Sequence, residues 1–207
     1  MKDNSLVPAN EIWYTTTDGK TIEMFNSSVD VISNTYEEGK GVIVFEEPIT
    51  MIEEQSFLRK TRLCKIVIPE GVTFIGKKAF ARCTSLQEVV IPSSVNKIMD
   101  RAFDDCTSLR EVVIPEGVKK IESWAFRNCE SLEIVHLPVG VSEIDESKYP
   151  AFDECYNLEA IYVPEGNVDF YKEVFSYDMH WLIVEEGSDL PDCSEYYMNE
   201  DCDNEED

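Results

Sequence analysis

The stretch Thr107-Ser108-Leu109-Arg110-Glu111-Val112-Val113-Ile114-Pro115-Glu116-Gly117-Val118-Lys119-Lys120-Ile121, running on to Ala125-Phe126 and Cys129, decides the fold because it recurs. Prolines stand at a strict 23-residue interval, Pro69, Pro92, Pro115 and Pro138, and Pro164 follows after a three-residue insertion. Leu63, Leu86, Leu109, Leu132 and Leu158 lead the units, followed by Ile66/Ile68, Val89/Ile91, Val112/Ile114, Val135/Leu137 and Ile161/Val163. Val72, Val95, Val118, Val141 and Ile75, Ile98, Ile121, Ile144 come next. Each unit closes on Ala-Phe, as in Ala79-Phe80 and Ala102-Phe103, and then a cysteine, Cys83, Cys106, Cys129 or Cys155. A period in the twenties with this apolar pattern specifies a solenoid whose units cannot bury their apolar faces alone.

Within a unit the first strand alternates, so in Leu86-Gln87-Glu88-Val89-Val90-Ile91 the residues Leu86, Val89 and Ile91 point inward and Glu88 and Val90 outward. Pro92 ends the strand because it has no N–H for the ladder. Glu-Gly or Ser-Ser turns a corner, and Val95 to Ile98 forms a second short extended piece. Met99 to Cys106 then reads as a helical or 3-10 turn that buries Phe103 and leaves Asp100, Arg101 and Asp104 outside. Stacked first strands give one parallel sheet.

The ends differ. Residues 1–41 read as an N-terminal β cap. Ile12-Trp13-Tyr14-Thr15-Thr16-Thr17 and Thr21-Ile22-Glu23-Met24 flank Asp18-Gly19, the signal of a type I′ hairpin. Residues 42–166 carry five to six units, the first degenerate, with Val42-Ile43-Val44-Phe45 in the strand register. The insertion near Asp145-Glu146-Ser147-Lys148-Tyr149-Pro150 maps to a surface loop. Residues 167–187 suit a helix and a strand sealing the last unit, and the acidic segment 188–207 lacks apolar anchors and reads as disordered.

The formal net charge is −24, and residues 185–207 hold 11 acidic and no basic side chains, leaving −13 for the rest. Acidity throughout argues against nucleic acid, which needs a basic footprint, and against anionic lipid. No run approaches the roughly 18 apolar residues of a membrane span. The N-terminal residues lack the apolar core of a signal peptide, so the chain as it stands reads as cytoplasmic. The register-matched cysteines stack as reduced core thiols, while Cys193 and Cys202 lie in the acidic tail as the one exposed pair. C-x-x-C, H-E-x-x-H and the glycine-rich phosphate and dinucleotide motifs are absent, so neither a metal nor a cofactor is indicated.

The units resemble the BspA-like leucine-rich repeats, of pattern L-x-x-[IV]-x-[IV]-P-x-x-[IV]-x-x-I-x-x-x-A-F-x-x-C, over residues 42–166. The opening Trp13 to Lys20 also looks like the cap that precedes such repeats. The resemblance implies an α/β solenoid, a right-handed leucine-rich-repeat superhelix rich in β structure. It further implies a non-enzymatic binding or adhesion protein, commonly exported or displayed on the cell surface.

The outward strand column Val44, Val67, Val90, Val113, His136 and Tyr162 is the candidate partner-binding face, with Lys65, Glu88, Arg110, Glu111, Glu133 and Glu159 as its polar rim. Six strands at ~4.8 Å make a face roughly 25–30 Å long, comparable with a standard interface of about 800 Å² per partner. The same column is also what outward strand positions filled by a good strand former look like. Glu133 and Glu159 are the expected carboxylate neighbours of His136, which has no nucleophile beside it, so no catalytic residue is assigned. Lys77, Lys78, Lys97, Lys119 and Lys120 read as solvated cations on the convex side. The readings are a monomeric module binding an unidentified protein or peptide, or a structural spacer from a longer array with no ligand on this face.

Overall fold

A computed structural model describes residues 7–145 and 149–188. In chain order its strands are β1 (Glu11–Thr16), β2 (Val31–Glu37), β3 (Lys40–Phe45), β4 (Met51–Ile52), β5 (Leu63–Val67), β6 (Phe74–Ile75) and β7 (Glu88–Val90). There follow β8 (Lys97–Ile98), β9 (Glu111–Val113), β10 (Lys120–Ile121), β11 (Ile134–His136), β12 (Glu143–Ile144) and β13 (Ala160–Val163). Helix α1 (Val168–Val174), a 3-10 turn at Tyr177–Leu182 and β14 (Ile183–Glu185) close the chain. The tail with Cys193 and Cys202, and positions 146–148 of the insertion, lie outside the described residues.

The repeats wind as successive coils with three sides. On the first, the proline-terminated strands pair in parallel, β5 with β7, β9 with β11, and β11 with β13. Between β7 and β9 the strands stay neighbours but the ladder is interrupted, so this side falls into two sheets. The second side is the parallel sheet β4-β6-β8-β10-β12, in which Ile52, Ile75, Ile98, Ile121 and Ile144 stand in one register.

The third side carries the Ala-Phe motif and is made of turns. Ala79, Ala81 and Cys83 donate their N–H groups to Gly76, Lys78 and Phe80, three residues back. The alternate N–H groups of Lys78, Phe80 and Arg82 donate to Asp100, Ala102 and Asp104 of the next coil. This two-way pattern requires left-handed residues, and Lys78, Arg101 and Trp124, like Arg82, Asp105 and Asn128, have φ between 53° and 62°. Such a conformation costs an L-residue about 1–2 kcal/mol, which the inter-coil hydrogen bonds offset. One exposure differs from expectation. Asp104 is buried rather than outside, because Arg127 of the following coil reaches it at 2.7 Å.

Two side-chain columns fill the interior. Phe57, Phe80, Phe103, Phe126 and Phe152 stack at 5.0–5.3 Å with planes within 8° of parallel. Phe175 from the C-terminal segment meets the last ring at 6.2 Å, tilted. Beside them Cys83, Cys106, Cys129 and Cys155 each donate the thiol to the carbonyl of Phe57, Phe80, Phe103 and Phe126 of the preceding coil, at 3.1–3.4 Å. All four are free thiols.

The N-terminal hairpin is not the one the Asp18-Gly19 signal indicates. Residues 21–24 form no strand, and β1 instead lies antiparallel between β3 and β5. The hairpin is β2–β3, turning on Glu38-Gly39, both at positive φ. Asp18 spends its carboxylate on Arg62, and Tyr14 fixes the loop by accepting from the Ile22 N–H and donating to Asn34. Gly41 sits where a Cβ would fall 2.2 Å from the Tyr14 ring, so only glycine lets β3 pass. At the other end β14 adds to β13 in parallel, and buried Tyr171 of α1 donates its hydroxyl to the Pro138 carbonyl.

Candidate functional site

Each first strand turns alternate side chains outward, and the ladder register decides which of them line up. Val67 stands opposite Val90, and His136 opposite both Val113 and Tyr162. All five are partly or well exposed, Val113 at 52%. Val44 does not join them. Because β1 is inserted between β3 and β5, Val44 faces Glu11, one row away, while Trp13 stands opposite both Val67 and Val42. At the far end Tyr162 faces Val184. The outward row is therefore Val42, Trp13, Val67 and Val90, followed across the interrupted junction of the neighbouring strands β7 and β9 by Val113, His136, Tyr162 and Val184. Trp13 and Val184 escaped the sequence reading because they lie outside the repeat. The alternation of Ile12-Trp13-Tyr14 marks a strand, yet only the three-dimensional register reveals its partner.

The rim residues do not form one line. Lys65 pairs with Glu88 at 3.1 Å, and the two share a register. Glu111 aligns with Ile134 and Ala160, not with Glu133 or Glu159. The latter two occupy the strand entries with Arg110, where the N–H of Glu133 donates to Arg110 and that of Glu159 to Glu133. His136 accordingly has other carboxylate neighbours than those expected. Its Nδ1 lies 2.7 Å from Glu186 and its Nε2 3.8 Å from Glu111, and its ring stacks on Tyr162 at 5.3 Å. Glu186 follows β14 and was invisible to a reading confined to the repeat.

Away from this face several basic residues pair with a carboxylate of the next coil. Lys77 pairs with Asp100 at 3.0 Å, Arg82 with Asp105 at 3.2 Å, Lys97 with Glu122 at 2.5 Å and Lys120 with Glu143 at 2.6 Å. The convex lysines Lys77, Lys97 and Lys120 are thus rungs of an ion-pair ladder rather than free solvated cations. Half-buried Trp13 and exposed Phe25 also carry cations of the chain, Lys40 over Trp13 at 3.9 Å and Lys60 over Phe25 at 3.6 Å.

The buried cysteine column is not poised for nucleophilic chemistry. Burial pushes the Cys83 thiol up to about 12 and those of Cys106 and Cys129 well above 9.0, so they stay protonated and inert. Among the described residues no group of three or more His, Cys, Asp or Glu side chains could hold a metal ion, and no helix is long and apolar enough to cross a membrane. What the surface can do is present a shallow apolar row edged by charge.

Comparison with known proteins agrees with this geometry. The family model "BspA type Leucine rich repeat region" matches residues 43–180 in six copies. Among solved structures, a leucine rich cell surface protein from Faecalibacterium prausnitzii A2-165 is 30% identical, with a TM-score of 0.58 over 62% of this chain and 33% of its own. A T. pallidum leucine rich repeat protein is 31% identical, with a TM-score of 0.54 over 56% of this chain and 53% of its own. The pneumococcal vaccine antigen PcpA, 22% identical with a TM-score of 0.50, shares the fold over 66% of this chain and 39% of its own. The chain thus spans about half or less of the length of these structures. None of the curated proteins matches it.

Proposed function

The chain belongs to the BspA-type leucine-rich repeat family, and we propose that it is a non-enzymatic module that binds a protein partner on the outward row of its strand face. The observation carrying this reading is the row itself. Trp13, Val67 and Val90 stand in one register and Val113, His136, Tyr162 and Val184 in another, and the neighbouring strands β7 and β9 bring the two runs together. Eight strands at ~4.8 Å give a line about 34 Å long, sufficient for a standard interface of ~800 Å² per partner. Tyrosine, tryptophan and arginine dominate binding energy at such surfaces, and Tyr162 and Trp13 lie on the row. The F. prausnitzii relative is described as a cell surface protein, which supports adhesion-type binding as the setting.

The test is a crosslinking pull-down from the native host with wild type and Val113→Glu. The substitution places a charge at the exposed middle of the row, so the partner recovered by wild type should be lost or weakened about tenfold. Glu88→Ala, at the rim, should retain it. Equal recovery by all three would remove the row as the binding surface and favour the spacer role.

A further inference from the structure

The C-terminal half of this face has an unanswered charge pattern. Glu111 and Glu186 are 60% and 51% exposed at the side chain, and among the described residues neither has a lysine or arginine within ion-pair reach. Elsewhere several basic residues pair with a carboxylate of the next coil, and on the N-terminal half of the same face Lys65 answers Glu88 and Lys40 covers Trp13. Only His136 stands between the two unanswered carboxylates.

The imidazole cannot answer both while neutral. At 2.7 Å from a carboxylate oxygen, Nδ1 must carry the ring hydrogen and donate it to Glu186. In the neutral ring Nε2 presents a lone pair toward the Glu111 carboxylate 3.8 Å away. In that form two acceptors face each other without a donor between them. The space suits a cationic N–H donor, which would satisfy both and answer the negative charge. Beside it in register is Val113, 52% exposed, so the same occupant must bring an apolar group one strand away.

We propose that this half of the face receives a basic, extended protein segment, a lysine or arginine of which bridges His136 Nε2 and the Glu111 carboxylate while an adjacent apolar side chain covers Val113. The inference rests on the proposed binding role of the row and adds the chemistry of the partner. An acidic segment would place a third carboxylate against Glu111 and Glu186 and is rejected.

The test uses the full chain, 15N-labelled, titrated with two capped octapeptides, one alternating lysine and valine, the other glutamate and valine. The lysine peptide should shift the amide resonances of β9, β11 and β13, and its binding should weaken with salt. Glu111→Gln, isosteric at an exposed site, should raise its dissociation constant about threefold, the scale of one exposed charge pair. Glu46→Gln, which removes the same charge from an exposed site outside this face, should leave it unchanged. Equal binding of both peptides at these strands overturns the basic preference while leaving the row as a binding surface. Shifts elsewhere, no shifts, or equal losses from the two glutamine variants overturn the proposal, and the Val113→Glu pull-down then decides the row separately.

Discussion

Raising the pH from 8 to 10 probes the cysteine column quantitatively. Cys83, Cys106 and Cys129 are fully buried, and each thiol donates to a phenylalanine carbonyl one coil back. Burial holds Cys83 up at about 12 and the other two well above 9.0, the value at which an unperturbed thiol ionises. The folded state therefore keeps three protons that the unfolded chain releases. For groups raised on folding, the stabilisation is complete below the unfolded value and is lost as the pH climbs from there toward the folded one. At pH 10 about nine-tenths of each unfolded thiol is ionised, so the loss relative to pH 8 is on the order of 1 kcal/mol per thiol and about 4 kcal/mol for three. That is a large part of the 5–15 kcal/mol typical of a folded domain. Tyr171, also raised to about 12 by burial, acts in the same direction with a smaller share at pH 10. The assay is urea denaturation at pH 7, 8, 9 and 10 under a phosphine reductant. Wild type is compared with Cys106→Ala and with the triple alanine variant. The substitutions lower stability at every pH, but the slope is the readout. Above pH 9 it should become shallower with each thiol removed, and groups common to all variants cancel in the difference. Superimposable slopes for wild type and the triple variant would refute the buried-thiol reasoning.

Phe103→Ala should remove about 3–5 kcal/mol, the usual loss for a buried phenylalanine, because its ring is stacked on Phe80 and Phe126 at once. Phe57→Ala, with one stacked neighbour, should lose less in the same urea titration, and equal losses would mean the rings act singly. Gly117→Ala should destabilise by about 1–3 kcal/mol, the scale of overpacking, since its Cβ would fall 1.9 Å from the Ser93 carbonyl oxygen. A thermal melt unchanged from wild type would show that the neighbouring coils give way freely.

The periodic part of the fold was readable because period and burial agree at every level. Leucine, isoleucine, phenylalanine and cysteine recur at fixed registers, and the solenoid is the arrangement that hides all of them at once. The cap was not readable in the same way. Asp18-Gly19 is good hairpin chemistry, but β1 gains more by pairing on both edges with β3 and β5 than by folding onto residues 21–24. That choice depends on the open edge of the first coil, which no local window contains. For the same reason Val44 was misplaced and Trp13 missed. Asp104 was read as exposed because a carboxylate next to a buried phenylalanine normally faces solvent. Its partner, Arg127, comes from the next coil, and inter-coil pairing is a property of stacking rather than of one unit. The His136 neighbours were misjudged on the same ground, since Glu186 belongs to a strand beyond the last repeat.

A chain that builds its core by repetition can specify a particular site only by departing from the repeat. The outward row illustrates this. Val67, Val90 and Val113 occupy three successive coils, and then His136 and Tyr162 replace valine in the next two. Two residues earlier in the same strands Lys65, Glu88 and Glu111 give way to Ile134 and Ala160. Both substitutions begin in the same coil, and although Ala160 is itself buried, the inward residues Val112, Val135 and Ile161 keep their character and their burial. The change removes the charges that would pair along the ladder and leaves Glu111 facing an imidazole across an open gap. Core packing sets where each outward side chain stands, and the break in periodicity sets what stands there, so the two can be varied independently. Restoring the repeat with His136→Val should therefore leave the urea midpoint within the range of an ordinary surface substitution, about 0.5 kcal/mol. The same variant should abolish the response of β11 to the lysine–valine peptide. A large loss of stability would place His136 in the scaffold, as a clamp between β9 and the turn after β14, rather than in the binding surface.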